Sequence, residues 1–544
     1  MSASTTSNQA RAVNFLQSGS GAIATNLQSR GRDTYHVFDW FSAAQIADVR
    51  AGTTLIDVTS SVQAAIDAVN TAGGGTLFFP AGDYRMASGL ALPAYSNVHM
   101  VGAGPNATSL WVINNNTKVF NITGLATRIS IENMWLGAGS ALTGCVGIEV
   151  TGTDSSNPAS EIYINKVNIQ NMNNCVKWTH VHQSKMDWVR AIQSVVSGIT
   201  GNGFYLFGVV SSRLNDLQVL ASAGSIGGEY FLIDGDCDTV VLNACEGYGG
   251  TTNIGFRCQL GSGTTGPRLT RLINCYAEIC TSDGFAVTAG RDIRFEGCHA
   301  AANSENGFEI TGGDSVVLQD CLALQNNKYG FIVTGGAGVG IINCTASDNS
   351  QTTDNTYDGI RIEANVTHAR VIGCRSGDFI FSLTNDQRYG VSLGAGTSDY
   401  LVCKDNDCQG NQTGDIGNFS TGTSNDIDQD GTFTATLTGF ATPPTGTARF
   451  RREGRVVRCY IPALSGTSNA TTCTITGVPT DIRPQRDQEF PVLITDNGTN
   501  AFGWASLASS GTITLAPSAA NSASGWTGSG TKTFAEQTLG WSLD

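Results

Sequence analysis

LTRLINCYAEICTSDGFAV (269–287), IRFEGCHAAANSENGFEI (293–310) and VVLQDCLALQNNKYGFIV (316–333) write one pattern three times. Each copy runs through an apolar strand, a cysteine, a short alternating strand, an Asn-rich turn, Gly-Phe and another strand. Cys275, Cys298, Cys321 and Cys344 recur every 23 residues, as do Gly284, Gly307 and Gly330. A fixed period of this size belongs to stacked supersecondary units, each needing its neighbours to bury an apolar face. The units hold short β-type runs separated by Gly, Asn and Asp, so each is a coil of strands and not a helix pair. The expected fold is all-β: a right-handed single-stranded parallel β-helix.

Composition fits a solenoid. The 544 residues include 66 glycines, only 14% are charged, and the net charge is −14. That balance leaves no electrostatic footprint for nucleic acid. No apolar run reaches the 18 residues of a membrane span, so no membrane insertion is expected. The segment MSASTTSNQARAVNFL lacks a signal peptide's apolar stretch, and the expectation is assembly in a cytoplasm. The 15 cysteines are odd in number and mostly recur with the repeat. Stacked on one interior face, rungs ~4.8 Å apart hold their Cβ atoms beyond the ~3.8 Å disulfide mean. They read as a ladder of buried thiols.

Residues 1–58 read as an arm that packs on the segment after it. In DVTSSVQAAIDAVNTAGGGTLFFPAGDYRM (57–86), Ser60 or Ser61 is the expected N-cap of a helix over about 60–72. Val62, Ala65, Ile66 and Val69 share one face of it. Gly73–Gly75 stop the helix and Leu77–Phe79 begin a strand. A solenoid end exposes unpaired strand edges, so this helix reads as a cap.

Residues 62–86 resemble the opening of the pectate-lyase-like β-helix superfamily, with its capping helix followed by GGT and FPAG-Y. The preceding GSGAIATNLQSRGRDTYHVFDW (19–40) is similar to the neck of bacteriophage tailspikes, departing from it at Phe38-Asp39-Trp40. The resemblance covers roughly residues 11–415. It implies a homotrimeric virion tailspike that binds, and usually cleaves, a bacterial surface polysaccharide (capsule or O-antigen). It also implies docking to the phage tail or baseplate through the N-terminal arm, assembly in the host cytoplasm and action outside the host cell. The family has no transferable catalytic motif, so it assigns no residue.

The β-helix is expected over 59–415, then a Gly/Ser/Asn/Asp linker (416–431). The hairpin patterns of 432–544 read as a C-terminal antiparallel β-sandwich that trimerises or binds sugar. EIYINKVNIQ, KMDWVRAIQ, RLNDLQVLA and VVLNACEGY align with the repeats. If the repeat cysteine points inward, the alignment stacks one outward column: Asn168, Arg190, Gln218, Glu246, Tyr276, His299, Leu322. A neighbouring column holds Gln170, Leu220, Tyr248, Glu278 and Ala301, and Trp188 and Asp216 stand at the turn before the first.

Aromatic faces suit pyranose C–H groups, and carboxylates and guanidinium groups suit hydroxyls. Tyr276, Tyr248 and Trp188 are the candidate sugar platforms; Arg190, His299, Arg271 and Arg294 are further candidate contacts. Glu246 and Glu278 lie one rung and two residues apart, which puts their Cβ atoms roughly 8 Å from each other. That spacing suits an inverting hydrolase, with one carboxyl as general acid and the other activating water. Asp216 is the substitute partner. Asp283 reads as a turn residue ordering Gly284. His180 and His182 lack the convergent ligands of a metal site, and neither metal nor cofactor is expected. A lyase on the same fold and a binding-only adhesin are the other readings.

Overall fold

In the computed structural model, residues 34–139, 142–193, 201–221, 227–249, 254–379, 387–420, 422, 424–518 and 525–544 are described, with two short strands at Asn14–Phe15 and Thr25–Asn26. The rest of the arm expected to dock on a virion lies outside the described residues. The chain divides into two units, Met1–Phe331 and Ile332–Asp544.

In the first unit, strand Thr34–His36 pairs in parallel with Gly75–Phe79, and helix α1 (Ala43–Ala51) is closed by a capping box between Ser42 and Gln45. Residues 34–58, expected as part of an arm, thus form the first strand and helix of the solenoid end. The capping helix α2 spans Thr59–Thr71, one residue ahead of the expected start, and its N-cap position is Val58 rather than Ser60 or Ser61. Asp57 explains the shift, because its carboxylate accepts from both the backbone N–H and the hydroxyl of Thr59. Val62, Ala65, Ile66 and Val69 are fully buried. Each large apolar side chain so covered contributes roughly 1.5–3 kcal/mol.

Beyond the cap, every coil contributes to three parallel ladders. The first passes through Val241–Asn243, Arg271–Ile273 and Arg294–Glu296. The second passes through Gln218–Ala221, Glu246–Tyr248, Tyr276–Glu278 and His299–Ala301. The third passes through Phe231–Ile233, Phe256–Cys258, Phe285–Val287 and Phe308–Ile310. One left-handed residue makes the corner between the first and second ladders in each coil: Trp188, Asp216, Ala244, Asn274 and Gly297, with φ between 50° and 63°. For non-glycine residues this conformation costs roughly 1–2 kcal/mol each. Interstrand bonds offset it, such as Asp216 N–H to the Asn243 carbonyl and Ala244 N–H to the Ile273 carbonyl.

The interior explains the repeat. Phe204, Phe231, Phe256, Phe285, Phe308 and Phe331, each but Phe231 following a glycine, form a stack with successive centroids 4.4–5.0 Å apart. A Cβ on Gly284 would lie 2.8–2.9 Å from Asn303, Ala300 and the Gly307 carbonyl, which is why the position before the ring stays bare. The Asn of the turn is a buried ladder too: the Asn303 amide donates to Asn326 Oδ1 at 2.9 Å. All 15 cysteines are buried thiols outside any disulfide. Several of the coil thiols bond carbonyls of the preceding coil, as Cys298 does to Leu272 at 3.2 Å and Cys321 to Phe295 at 3.5 Å.

The second unit contains further parallel coils and an antiparallel β-domain. Residues 416–431, expected as a linker, are instead largely ordered strands. Gly414–Ser420 pairs in parallel with Tyr389–Gly396, and Asp426–Ile427 pairs with Val402–Lys404. The same Gly, Ser, Asn and Asp that mark linkers also supply the turns of a coil. The hairpins from Gln429 to Ser542 form one ten-stranded antiparallel sheet. It curls back on itself, with Gln488 bonding both the carbonyl and the N–H of Ser542. Inside the curl lie Val457, Ile475, Ile494, Leu507, Phe534 and Trp541.

Candidate functional site

The outward column of the second ladder has the expected register. Asn168 pairs with Arg190, Arg190 with Gln218, Gln218 with Glu246, Glu246 with Tyr276, and Tyr276 with His299. In the neighbouring column Leu220, Tyr248, Glu278 and Ala301 succeed one another. Strand alternation turns Cys275 and Ala277 inward, fully buried, and leaves Tyr276 and Glu278 half-buried on the outer face.

Glu246 accepts a hydrogen bond from the Gln218 amide at 3.2 Å. Burial pushes the Glu278 carboxyl above its ordinary value, and the charge of Glu246 pushes it the same way. Burial also raises the Tyr276 hydroxyl, with Glu278 and Glu246 adding to it. Next to it, burial lowers the His299 imidazole, favouring the neutral ring. The Tyr276 and His299 rings stand 5.2 Å apart. These four side chains hold one carboxyl toward its protonated form, a second carboxylate and a neutral imidazole on two adjacent strands and the next.

Trp188 and Asp216 are exposed at the left-handed corner. The Arg190 guanidinium lies 4.6 Å from the Trp188 ring centroid, a cation–π contact. Tyr248 is 43% exposed, so its ring is available as a platform. Arg271 and Arg294 are aligned with each other and exposed, but they stand on the first ladder, across the corner from Glu246 and Glu278. Neither has an ion-pair partner among the described residues. His180 and His182 join no group of three potential metal ligands among the described residues.

Two features escape the sequence reading. The column continues amino-terminally, since Trp135 pairs with Asn168 and Ser109 with Trp135. Extending the same alignment one coil back, through ENMWLGA, reaches Trp135. The other is a second carboxyl pair. Asp283 is buried and accepts from the Asn306 N–H at 3.0 Å, so it does order a turn, that of the following coil. It also lies close enough to Glu309 for the two carboxyls to raise each other's cost of ionising. Burial, then the charge of Asp283, pushes Glu309 up to about 7, and burial raises Asp283 as well.

Residues 260–430 match the family described as "Right handed beta helix region", and residues 51–187 match "Rhamnogalacturonase A/epimerase, pectate lyase-like". Over 79 residues the chain is 43% identical to Mannuronan C5-epimerase AlgE1 of Azotobacter vinelandii, a match spanning 14% of this chain and 6% of that relative. A 62-residue match to Alginate lyase 7 of the same organism is 45% identical and spans 10% of this chain and 7% of that one. Among solved structures, a mutant tailspike protein of E. coli bacteriophage HK620 superposes with a TM-score of 0.55 at 10% identity, covering 98% of this chain and 96% of that one. The A-module of Azotobacter vinelandii Mannuronan C-5 epimerase AlgE6 gives 0.50 at 18% identity, covering 72% and 97%. At these identities the structural likeness is one of fold.

Proposed function

We propose that this chain, a pectate-lyase-like right-handed β-helix protein, is a tailspike that binds a bacterial surface polysaccharide along its second ladder and hydrolyses it. The observation that carries the reading is Glu278, a carboxyl held toward its protonated form beside the carboxylate of Glu246, on a face lined by Tyr248, Tyr276 and Trp188. Glu278 donates its proton to the glycosidic oxygen as the bond to the anomeric carbon breaks. Glu246 takes a proton from water as the water oxygen bonds that carbon. Asp216, on the corner one coil earlier, is the alternative base. Tyr276, Tyr248 and Trp188 stack on sugar rings, while Arg190 and His299 contact substituents. Arg271 and Arg294 flank the site across the corner. The working unit is a homotrimer attached to a phage tail through its N-terminal residues, built in the host cytoplasm and acting at the cell surface.

The second reading is a lyase or epimerase. The adjacent Tyr276 and neutral His299 favour it, because the neutral imidazole would suit abstraction of a proton next to a uronate carboxyl and the protonated phenol would suit donation to the leaving oxygen. Purified capsular and O-antigen polysaccharides separate these readings. Hydrolysis raises reducing ends without ultraviolet absorbance, and elimination yields an absorbing unsaturated sugar. Binding without fragments and with unchanged uronate composition identifies an adhesin, and a changed uronate composition without fragments identifies an epimerase.

A further inference from the structure

Strand Thr445–Glu453 of the second unit alternates, burying Ala448, Phe450 and then Arg452. The first two join the apolar interior of the antiparallel sheet. The third puts a guanidinium at a core-facing position, 6% exposed. It donates to three backbone carbonyls: Nε to Gly454 at 2.8 Å, Nη1 to Asp481 at 3.1 Å and Nη2 to Asn425 at 3.3 Å. Those acceptors are neutral, and Arg452 has no ion-pair partner among the described residues. A buried charge without a partner is costly. Asp481, Asp426 and Asp428 act on it from farther away, yet burial still holds the guanidinium below its ordinary value, so they do not offset the cost.

Arg452 borders a cavity of about 140 Å³ that Arg455, Arg483 and Asp481 also line. Arg455 pairs with Asp544. Arg483 bonds the Val478 carbonyl through Nε at 2.9 Å and has no ion-pair partner among the described residues. Three guanidinium groups thus face one carboxyl, Asp481, which burial pushes toward its protonated form. This local excess of positive charge stands in a chain whose net charge is −14.

We infer that this cavity binds a tetrahedral oxyanion, phosphate or sulfate, which balances the buried charge of Arg452. At ~30 Å³ per water the space takes about five non-hydrogen atoms, enough for that ion and too few for a sugar ring. Guanidinium forks match phosphate oxygens, and Thr480 and Gln485 bring a hydroxyl and an amide to the same lining. The bound oxyanion joins the strand that ends at Ser420, the hairpin turn around Gly454 and the single turn Thr480–Ile482. It is either a free ion or a substituent of a glycan whose ring stays outside the cavity.

The test titrates the full chain, dialysed free of phosphate, with sodium phosphate, sodium sulfate and glucose 6-phosphate in a calorimeter. Sodium chloride at equal ionic strength is the control. Phosphate or sulfate should bind saturably at one site per chain, and chloride should not. Arg483→Gln should weaken that binding about tenfold or more, the scale of a lost charge-assisted hydrogen bond. Its side chain is partly exposed, so the variant serves even if Arg452→Gln fails to fold. Asp481→Asn should strengthen binding, because it removes the one carboxyl that opposes the ion; misfolding cannot imitate a gain. Glucose 6-phosphate binding as well as phosphate identifies a glycan substituent as the ligand, and phosphate or sulfate binding alone identifies a free ion. Titrations that match chloride, or an affinity unchanged in both Arg483→Gln and Asp481→Asn, overturn the inference.

Discussion

Two carboxyl pairs share one coil, that of Glu278 and Asp283, and have opposite surroundings. Glu246 and Glu278 lie on the outer face of the second ladder, half-buried, with Gln218 as the hydrogen-bond partner of Glu246. Asp283 and Glu309 lie by the third ladder, where Asp283 is buried, accepts from the Asn306 N–H and has its charge opposed by that of Glu309. Both pairs contain a carboxyl with a raised pKa, so a perturbed pKa alone does not tell catalysis from architecture. The difference lies in what else the groups face. The first pair faces aromatic rings and open solvent; the second is committed to the turn of the next coil.

Charge-neutral substitutions separate the pairs most sharply. Glu246→Gln should slow turnover by at least ~10²-fold, the scale of a lost general base. Its melting temperature should stay within the range of surface changes, about 0.5 kcal/mol or less. If Asp216→Asn is the inactive variant and Glu246→Gln is not, the base sits one coil earlier.

For the buried pair the expected effect is on stability. Asp283→Ala removes the acceptor of the Asn306 N–H and should cost about 1–3 kcal/mol in denaturant unfolding. The pH dependence has a definite sign. Glu309 has a folded value of about 7 against an ordinary 4.5, so between those values the folded chain binds more protons than the unfolded one. Its stabilising contribution is whole below pH 4.5, falls as pH rises and is lost above about 7. Thermal melts of Glu309→Gln should lack this fall; an unchanged slope would remove the raised Glu309 value from the account.

Smaller effects probe the platform and the interior. Tyr276→Ala should weaken polysaccharide binding by about 0.5–1.5 kcal/mol, read as a higher KM with kcat nearly kept. Thiol titration of the denatured, unreduced chain should find all 15 cysteines reactive, and reductant should leave the melt unchanged.

The first pair is legible in the sequence and the second is not. A cysteine at the same place in successive coils, Cys245 and then Cys275, fixes the register, and register alone brings Glu246 beside Tyr276 and Tyr248 beside Glu278. Asp283 carries a turn signal, and nothing local ties it to Glu309, whose approach depends on the bend before the third ladder. The left-handed corner is equally silent, because Trp188, Asp216, Ala244 and Asn274 share a conformation without sharing a residue type. Residues 416–431 look like a linker for a related reason: turn composition does not reveal whether strands between the turns find a ladder.

The most direct measurement compares Glu278→Gln and Glu309→Gln on one purified polysaccharide, with reducing ends per enzyme followed at a pH where both variants are folded. Glu278→Gln is expected to lose at least ~10²-fold in turnover, while Glu309→Gln keeps wild-type activity. An active Glu278→Gln beside an inactive, folded Glu309→Gln would contradict the account and move the chemistry to the buried pair.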